Sequence, residues 1–126
     1  DIVIHTDHAQ RSNTPRDIFA VRNTVNRGPL MMHHADLNQM GYFDEAFEPQ
    51  DMDDHDLMHR VYKQLNKVCG CYWIDFDSQD SWGGTRVSGR PAPWLYKAHH
   101  KNSKIFYGRH RDLINSPNHN EDRKLK

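Results

Sequence analysis

The strongest constraint on the fold is an acidic segment that opens an amphipathic helix. Residues Asp53–Leu57 read DDHDL, and the apolar residues that follow recur at helical spacing. This pattern predicts a helix over Met52–Leu65, with a buried stripe of Leu57, Met58, Val61, Tyr62 and Leu65. The helix dipole favours acids in the first turn, but four aspartates at positions 51–56 exceed what capping needs. Carboxylates this close repel one another, which indicates a site that uses one of them.

A tight apolar turn precedes the acidic helix. Residues 35–40 predict a short helix that ends at Gly41, because glycine tolerates the left-handed backbone common at helix ends. Gly41–Glu45 (GYFDE) then leads towards the acidic cluster, so we expect the turn and the cluster to line one pocket. Asp54 is placed at the edge of the buried helix face. Asp56 and Arg60 are four residues apart, which predicts an ion pair worth a few tenths of a kcal/mol.

The remaining segments predict short strands and one further helix. The strands are expected at Ile2–His5, Leu30–His33 and Val68–Phe76, the last apolar on both faces. Residues 8–23 are polar and predict a loop, with a helical turn at Asp17–Val21. Residues 94–114 have helical character. Residues 115–126 lack apolar anchors and predict a polar, mobile tail.

Composition argues against several classes of protein. Lys and Arg total 17, and Asp and Glu also total 17, which favours neither a general nucleic-acid binder nor an anionic-membrane binder. No apolar run approaches the roughly 20 residues of a transmembrane helix. Cys69 and Cys71 are too close along a strand for an unstrained disulfide. They predict a reduced, buried pair, which fits a reducing compartment such as the cytoplasm.

Three motifs occur in a characteristic order. They are Asn26–Leu30 (NRGPL), Met40–Glu45 (MGYFDE), and Asp53–Leu57 (DDHDL) followed by Arg60. In this order they resemble the acceptor-side half of a family 2 glycosyltransferase with the GT-A fold. That family runs an apolar strand and short helix into an lGgFDE turn and an acidic ED-x-D-L-x-x-R helix. The similarity covers residues 26–76 well and extends more loosely to Leu113, while residues 1–24 match no motif.

The resemblance implies a fold, a reaction and a base. Residues 1–114 would form part of an α/β, GT-A-like (Rossmann-like) domain, with a few strands flanked by helices. The reaction would be inverting transfer of a sugar from a nucleotide diphosphate sugar to a glycan or other hydroxyl acceptor. Its general base maps to Asp54, which must come within hydrogen-bond reach of the acceptor hydroxyl, with Asp53 beside it in contact with the acceptor.

The resemblance also implies a second half and a metal ion. The family's donor-binding half carries a DxD motif that holds Mn²⁺ or Mg²⁺, and we expect it upstream of Asp1. Asp75–Asp77 (DFD) has the right letters but follows the acidic helix, so we interpret it as a coincidence.

Further binding residues are predicted outside the acidic helix. Residues 82–86 (WGGTR) are typical of a loop over a ligand, because glycine allows close backbone approach, tryptophan stacks on sugars and arginine binds phosphate. Acceptor contacts are assigned to Trp82, Gly83 and Gly84, and donor diphosphate contacts to Arg27, Arg86 and Lys101. The resemblance also implies a C-terminal histidine ligand for the metal ion, a role that His99 or His100 would fill, since imidazole binds Mn²⁺. The alternatives are an ordinary turn for the loop and a basic helix face for the histidines.

Two other classes of function stay open on the sequence. A metal-dependent nuclease of the His-Asn-His type needs a ββα hairpin where we predict continuous helix, and the balanced charge argues against a DNA binder. A non-catalytic carbohydrate-binding or interaction module would be built on three tryptophans. The nuclease would use His99, His100, Asn115 and His119, and the module would use Trp73, Trp82 and Trp94.

Overall fold

Short strands and three helices make up the part of the chain that the computed structural model describes. The described residues are 3–5, 15–22, 30–71, 93–113 and 121–124. The strands are β1 (Val3–His5), β2 (Ile18–Arg22), β3 (Leu30–Met31), β4 (Cys69–Cys71) and β5 (Glu121–Lys124). The helices are α1 (His34–Met40), α2 (Asp53–Leu65) and α3 (Pro93–His110), with a 3₁₀ turn at Glu45–Phe47.

The strands form one mixed sheet in the order β3-β1-β4-β2-β5. β1 and β4 run parallel, with Val3 opposite Cys69. The other neighbours are antiparallel, and Ala20 of β2 lies opposite Cys71 on one side and Asp122 on the other. A mixed sheet with helices is compatible with the small α/β fold that the sequence predicts.

The middle of the sheet is tightly packed around β4. A Cβ on Gly70 would lie 2.4 Å from the carbonyl oxygen of Ala20 and 2.7 Å from the Phe19 ring, so only glycine fits there. Cys69 and Cys71 on either side are buried and not bonded to each other, as predicted. Burial raises the pKa of Cys69 to about 12, which keeps the thiol protonated.

The main core lies between α2 and its neighbours. Leu57, Met58 and Val61 of α2 are at most 1% exposed and pack with Met40 of α1 and Cys69 of β4. A second cluster, in which Phe47 and Met52 pack on Phe106 of α3, lies beside it. The predicted acidic helix is therefore confirmed, with Leu57, Met58 and Val61 of its apolar stripe buried and Tyr62 and Leu65 partly buried.

The other two helix predictions also agree with the structure. Gly41 takes a left-handed backbone, with φ of 71°, directly after α1. Helix α3 is continuous from Pro93 to His110, close to the predicted 94–114. No helix within the described ranges is long and apolar enough to cross a membrane.

Three predictions about strands and loops were wrong. Residues 18–22 form strand β2 instead of a loop with a helical turn, and Phe19, Ala20 and Val21 are all buried. A strand buried on both faces has no alternating pattern, which is why its sequence did not predict it. The strand expected at Leu30–His33 is only two residues long, and Met31 is 55% exposed at the sheet edge.

The third difference lies in the segment that we expected to be a mobile tail. Glu121–Lys124 forms the edge strand β5, paired along β2. Its side chains are exposed and charged, so the sequence has no apolar pattern that would predict a strand. Arg22 secures it by donating to the Glu121 carbonyl at 3.2 Å and pairing with Asp122 at 3.0 Å.

Candidate active site

The loop that leads into helix α2 is held in place by Asn102 of α3. The Asn102 side chain is fully buried, and its Nδ2 donates to the carbonyl oxygens of Phe47, Gln50 and Asp51 at 2.6, 2.8 and 2.9 Å. The loop needs this support, because Asp51 and Met52 have φ angles of 88° and 67°. Asn102 therefore fixes the backbone from which the acidic helix starts.

Arg60 joins the GYFDE turn to the acidic helix. Its Nη1 donates to the Met40 carbonyl at 2.6 Å and its Nη2 to the Tyr42 carbonyl at 2.7 Å. Its Nε donates to Asp56 Oδ2 at 2.7 Å, which confirms the predicted pair. The rigid fork of a guanidinium suits this task, since one side chain meets three acceptors in fixed directions.

Asp56 lies at the buried centre of this network. His110 Nε2 donates to its Oδ1 at 2.8 Å, and Arg109 Nη1 lies 3.4 Å from the same oxygen. Burial alone would raise the pKa of Asp56, but the hydrogen bonds from His110 and Arg60 outweigh it and keep the pKa below its ordinary value. Asp56 is thus an ionised carboxylate fully occupied by protein donors, and it connects α2 to α3.

The carboxylate of the GYFDE turn is also structural. Asp44 Oδ1 accepts from the Ala46 backbone N–H at 2.8 Å and so caps the 3₁₀ turn. Its Oδ2 pairs with Arg109 at 2.7 Å. These two contacts, the backbone one first, lower the pKa of Asp44. Arg109 also lies 5.2 Å above the Phe47 ring, so it binds the turn to α3 by charge and by stacking.

Three histidines surround Phe106 in the interior. The rings of His55, His59 and His110 lie 6.0, 5.0 and 5.1 Å from the Phe106 ring. His59 and His110 are only 3% exposed. His59 Nδ1 donates to the His55 carbonyl at 3.0 Å, whereas His110 Nδ1 has no hydrogen-bond partner among the described residues. These histidines are packing residues at the contact between α2 and α3.

Asp53 and Asp54 occupy the outer side of the first turn of α2. Asp54 Oδ1 accepts the His55 backbone N–H at 2.9 Å, and 15% of the side chain is exposed. Asp53 is half-buried. Asp56 has no exposed surface, so within the DDHDL segment only the first two carboxylates can meet a ligand from solution.

The predicted metal and diphosphate residues on α3 are engaged with the same loop. His99 Nδ1 is bonded to Asp51 Oδ2, and Lys101 Nζ donates to the Glu48 carbonyl at 2.7 Å. His100 is exposed and, being the next residue, points about 100° away from His99. No group of three or more His, Cys, Asp or Glu within the described residues could hold a metal ion. These two histidines therefore do not fit a metal centre by themselves.

The other predicted contacts lie outside the described residues. They are Arg27, Trp82, Gly83, Gly84 and Arg86, together with the Asp75–Asp77 triplet.

Sequence reasoning missed the two α3 residues that hold the site together, Asn102 and His110. A signal for them was present in the spacing of α3, since Ala98, Asn102, Phe106 and His110 recur every fourth residue and all are buried. A polar residue in such a row is expected to have a buried partner.

No protein-family model, curated protein or solved structure matches this chain. Its function is therefore inferred from its motifs and from the geometry of the site.

Proposed function

We propose that this chain is the acceptor side of a GT-A-like inverting glycosyltransferase, which moves a sugar from a nucleotide diphosphate sugar to a glycan or other hydroxyl acceptor. The observation that carries the proposal is the link made by Arg60. It bonds the GYFDE turn at Met40 and Tyr42 and the DDHDL segment at Asp56. The two most distinctive motifs of the resemblance thus form one structural unit, as a shared site requires.

Asp54 is the proposed general base. A base must accept a proton from the acceptor hydroxyl, so it needs both an open face and a fixed orientation. Asp56 has no open face, because it is buried between Arg60 and His110. Asp54 has partial exposure, and its carboxylate is oriented by the His55 backbone N–H. Asp53 lies beside it and is proposed to bind an acceptor hydroxyl.

The donor and its metal ion are assigned to the half of the domain that the resemblance places upstream of this segment. In the proposal that half supplies the DxD motif and the Mn²⁺ or Mg²⁺, which would neutralise the leaving diphosphate. Arg27 and Arg86 are kept as proposed diphosphate contacts. Lys101 is instead assigned to bracing the loop, because its ammonium group is bonded to the Glu48 carbonyl. His99 and His100 are given no step in the reaction.

A nuclease of the His-Asn-His type is not proposed. Such a site needs a ββα hairpin, and the described part of the region that it would occupy is one continuous helix from Pro93 to His110. A carbohydrate-binding module is kept only as an outcome of the test below, since Trp94 alone of its three tryptophans is described and is 46% exposed.

The test uses the complete domain, including the residues upstream of Asp1. Release of nucleoside diphosphate is measured over a panel of nucleotide diphosphate sugars and sugar acceptors, and donor binding is measured by calorimetry. Asp54→Asn is expected to lower the transfer rate by about 10²–10⁴-fold with donor affinity unchanged. Asp53→Asn is the matched variant one residue away and is expected to raise KM for the acceptor while most of kcat is retained.

Two results would count against the proposal. Transfer by Asp54→Asn at a rate close to that of the wild type would remove Asp54 as the base. Binding of glycans without release of nucleoside diphosphate from any donor would favour the carbohydrate-binding module.

A further inference from the structure

The balanced charge of the whole chain hides an uneven distribution on helix α3. Its 18 residues include Lys97, Lys101, Lys104 and Arg109 and no acidic residue, and Arg111 follows in the next turn. The buried side of the helix is the row that contains Asn102. On the opposite side lies a second row at spacings of three and four residues, which keep side chains on one helix face. We call it the outer row, and it comprises Lys97, His100, Lys104, Tyr107 and Arg111.

The lysines and the arginine of the outer row have no partner within the described residues, unlike most other described Lys and Arg side chains. Most described Lys and Arg side chains form ion pairs or hydrogen bonds, for example Lys63 with Asp112 and Lys67 with Asp36. Four described Lys or Arg side chains make no such contact with another described residue, namely Lys97, Lys104, Arg111 and Lys124. Three of these four lie in the outer row.

The shape and the aromatic content of this face limit what it can bind. The row runs for about 21 Å along a convex helix surface, so it cannot enclose a small anion. Tyr107 in the row is 50% exposed, and Tyr96 at its border is 65% exposed. Tyrosine beside lysine and arginine suits the headgroup layer of a membrane, where the ring meets the acyl boundary and the hydroxyl stays hydrated.

We propose that the outer row of α3 is a docking surface for a membrane that contains anionic lipids. Binding of RNA would rest on the number of phosphates that cations neutralise, and two of the neighbouring cations, Lys101 and Arg109, are already bonded to the loop and to Asp44. Each lysine or arginine near an anionic bilayer strengthens binding about fivefold, so the three cations of the outer row together give about a hundredfold preference over a neutral bilayer. Docking leaves the acidic loop accessible, because Asn102 holds that loop on the opposite side of α3. This surface is independent of sugar transfer by Asp54.

The test is flotation of the purified chain with lipid vesicles. One set of vesicles is phosphatidylcholine, and the other is an equimolar mixture of phosphatidylcholine and phosphatidylserine. The chain is expected to bind only the anionic set, and binding should weaken as salt is raised. Lys97→Gln, Lys104→Gln and Arg111→Gln should each lower the partition coefficient about fivefold, and the triple variant about a hundredfold.

Lys124→Gln is the matched control, because it removes the same charge from an exposed lysine that lies in β5, outside the row. It is expected to change partitioning less than twofold. Circular dichroism checks that each variant is folded, and the salt dependence of the wild type tests the proposal without any variant. Equal binding to both vesicle sets, or equal loss in Lys124→Gln and Lys104→Gln, would overturn it. So would tighter binding to a single-stranded RNA than to anionic vesicles at the same salt, which would assign the row to nucleic acid.

Discussion

Replacing Asn102 with aspartate tests how the loop before the acidic helix is held. The two side chains have nearly the same size and similar helix propensities, so the change affects little except the hydrogen bonds. In the wild type, Nδ2 donates to three carbonyl oxygens at 2.6–2.9 Å in a fully buried setting. In Asn102→Asp the donor becomes a carboxylate oxygen that faces the same three carbonyls.

The expected cost follows from these contacts. An amide NH₂ has two hydrogens, so about two net hydrogen bonds are lost, worth about 2 kcal/mol in total. The anion must also be buried without a partner or take up a proton, which adds about 2 kcal/mol or more. We therefore expect the free energy of unfolding to fall by about 4 kcal/mol at neutral pH, a large part of the 5–15 kcal/mol typical of a domain.

Urea unfolding followed by circular dichroism measures this loss, and its pH dependence identifies the cause. Burial and the facing carbonyls raise the pKa of the introduced carboxyl above its unfolded value of about 3.9. The penalty is therefore complete above the folded pKa and shrinks as the pH falls through it towards about pH 4. The difference from the wild type, measured at each pH, should follow this course.

The control is the same amide-to-acid change at Gln64→Glu, which lies on the exposed side of α2 and should cost less than about 0.5 kcal/mol. A loss of stability in Asn102→Asp that is no greater than that of the control would show that the hydrogen bonds from Asn102 do not hold the loop. A large loss that does not change with pH would refute the proposed cause.

Two further predictions concern the buried ion pairs and the sheet. Asp56→Asn should lower the free energy of unfolding by about 3–5 kcal/mol, because Arg60, which is 16% exposed, loses the carboxylate that compensates its burial, and His110 is left facing an amide. The pKa of Asp56 is below its ordinary 3.8, so the stability that its ionised form gives to the fold is complete above pH 3.8. This stability is lost as the pH falls through the folded pKa. Acid titration should therefore destabilise the wild type more than Asp56→Asn. Gly70→Ala should cost about 3 kcal/mol because its Cβ meets the Ala20 carbonyl, whereas Gly108→Ala, with open space around its Cβ, should gain about 0.5–1 kcal/mol of helix stability. Equal thermal stabilities of the two glycine variants would contradict the packing of β4 on β2.

Sequence patterns predicted the parts of the fold that depend on local periodicity. The apolar stripe of α2, the glycine that ends α1 and the ion pair between Asp56 and Arg60 are all local features, and the structure confirms them. The few tenths of a kcal/mol expected for the ion pair are typical of exposed pairs on a helix, and the spacing of two residues does not reveal burial. Asp56 has no exposed surface and also binds a residue from α3, His110, which is 54 positions away.

The rest depended on contacts between distant segments. β2 is apolar on both faces and β5 is charged throughout, so neither has the alternation that identifies a strand. Their pairing with each other, and the burial of Asn102 against the loop, are set by tertiary packing. The role proposed for Asp54 rests on motif order, and its partial exposure distinguishes it from the buried Asp56.

The position of β5 in the sheet has a consequence for the chain as it is made. Ile18 lies opposite Lys124, so the outer edge of β2 stays uncovered during synthesis until residues 121–124 have been added. The contacts between Asn102 and the loop need only residues up to about 110, so the acidic site can assemble first. A nascent or truncated chain that stops before Glu121 exposes the open edge of an apolar strand to other copies. The charged residues of β5, which are exposed themselves, thus protect the newly made protein from association through β2.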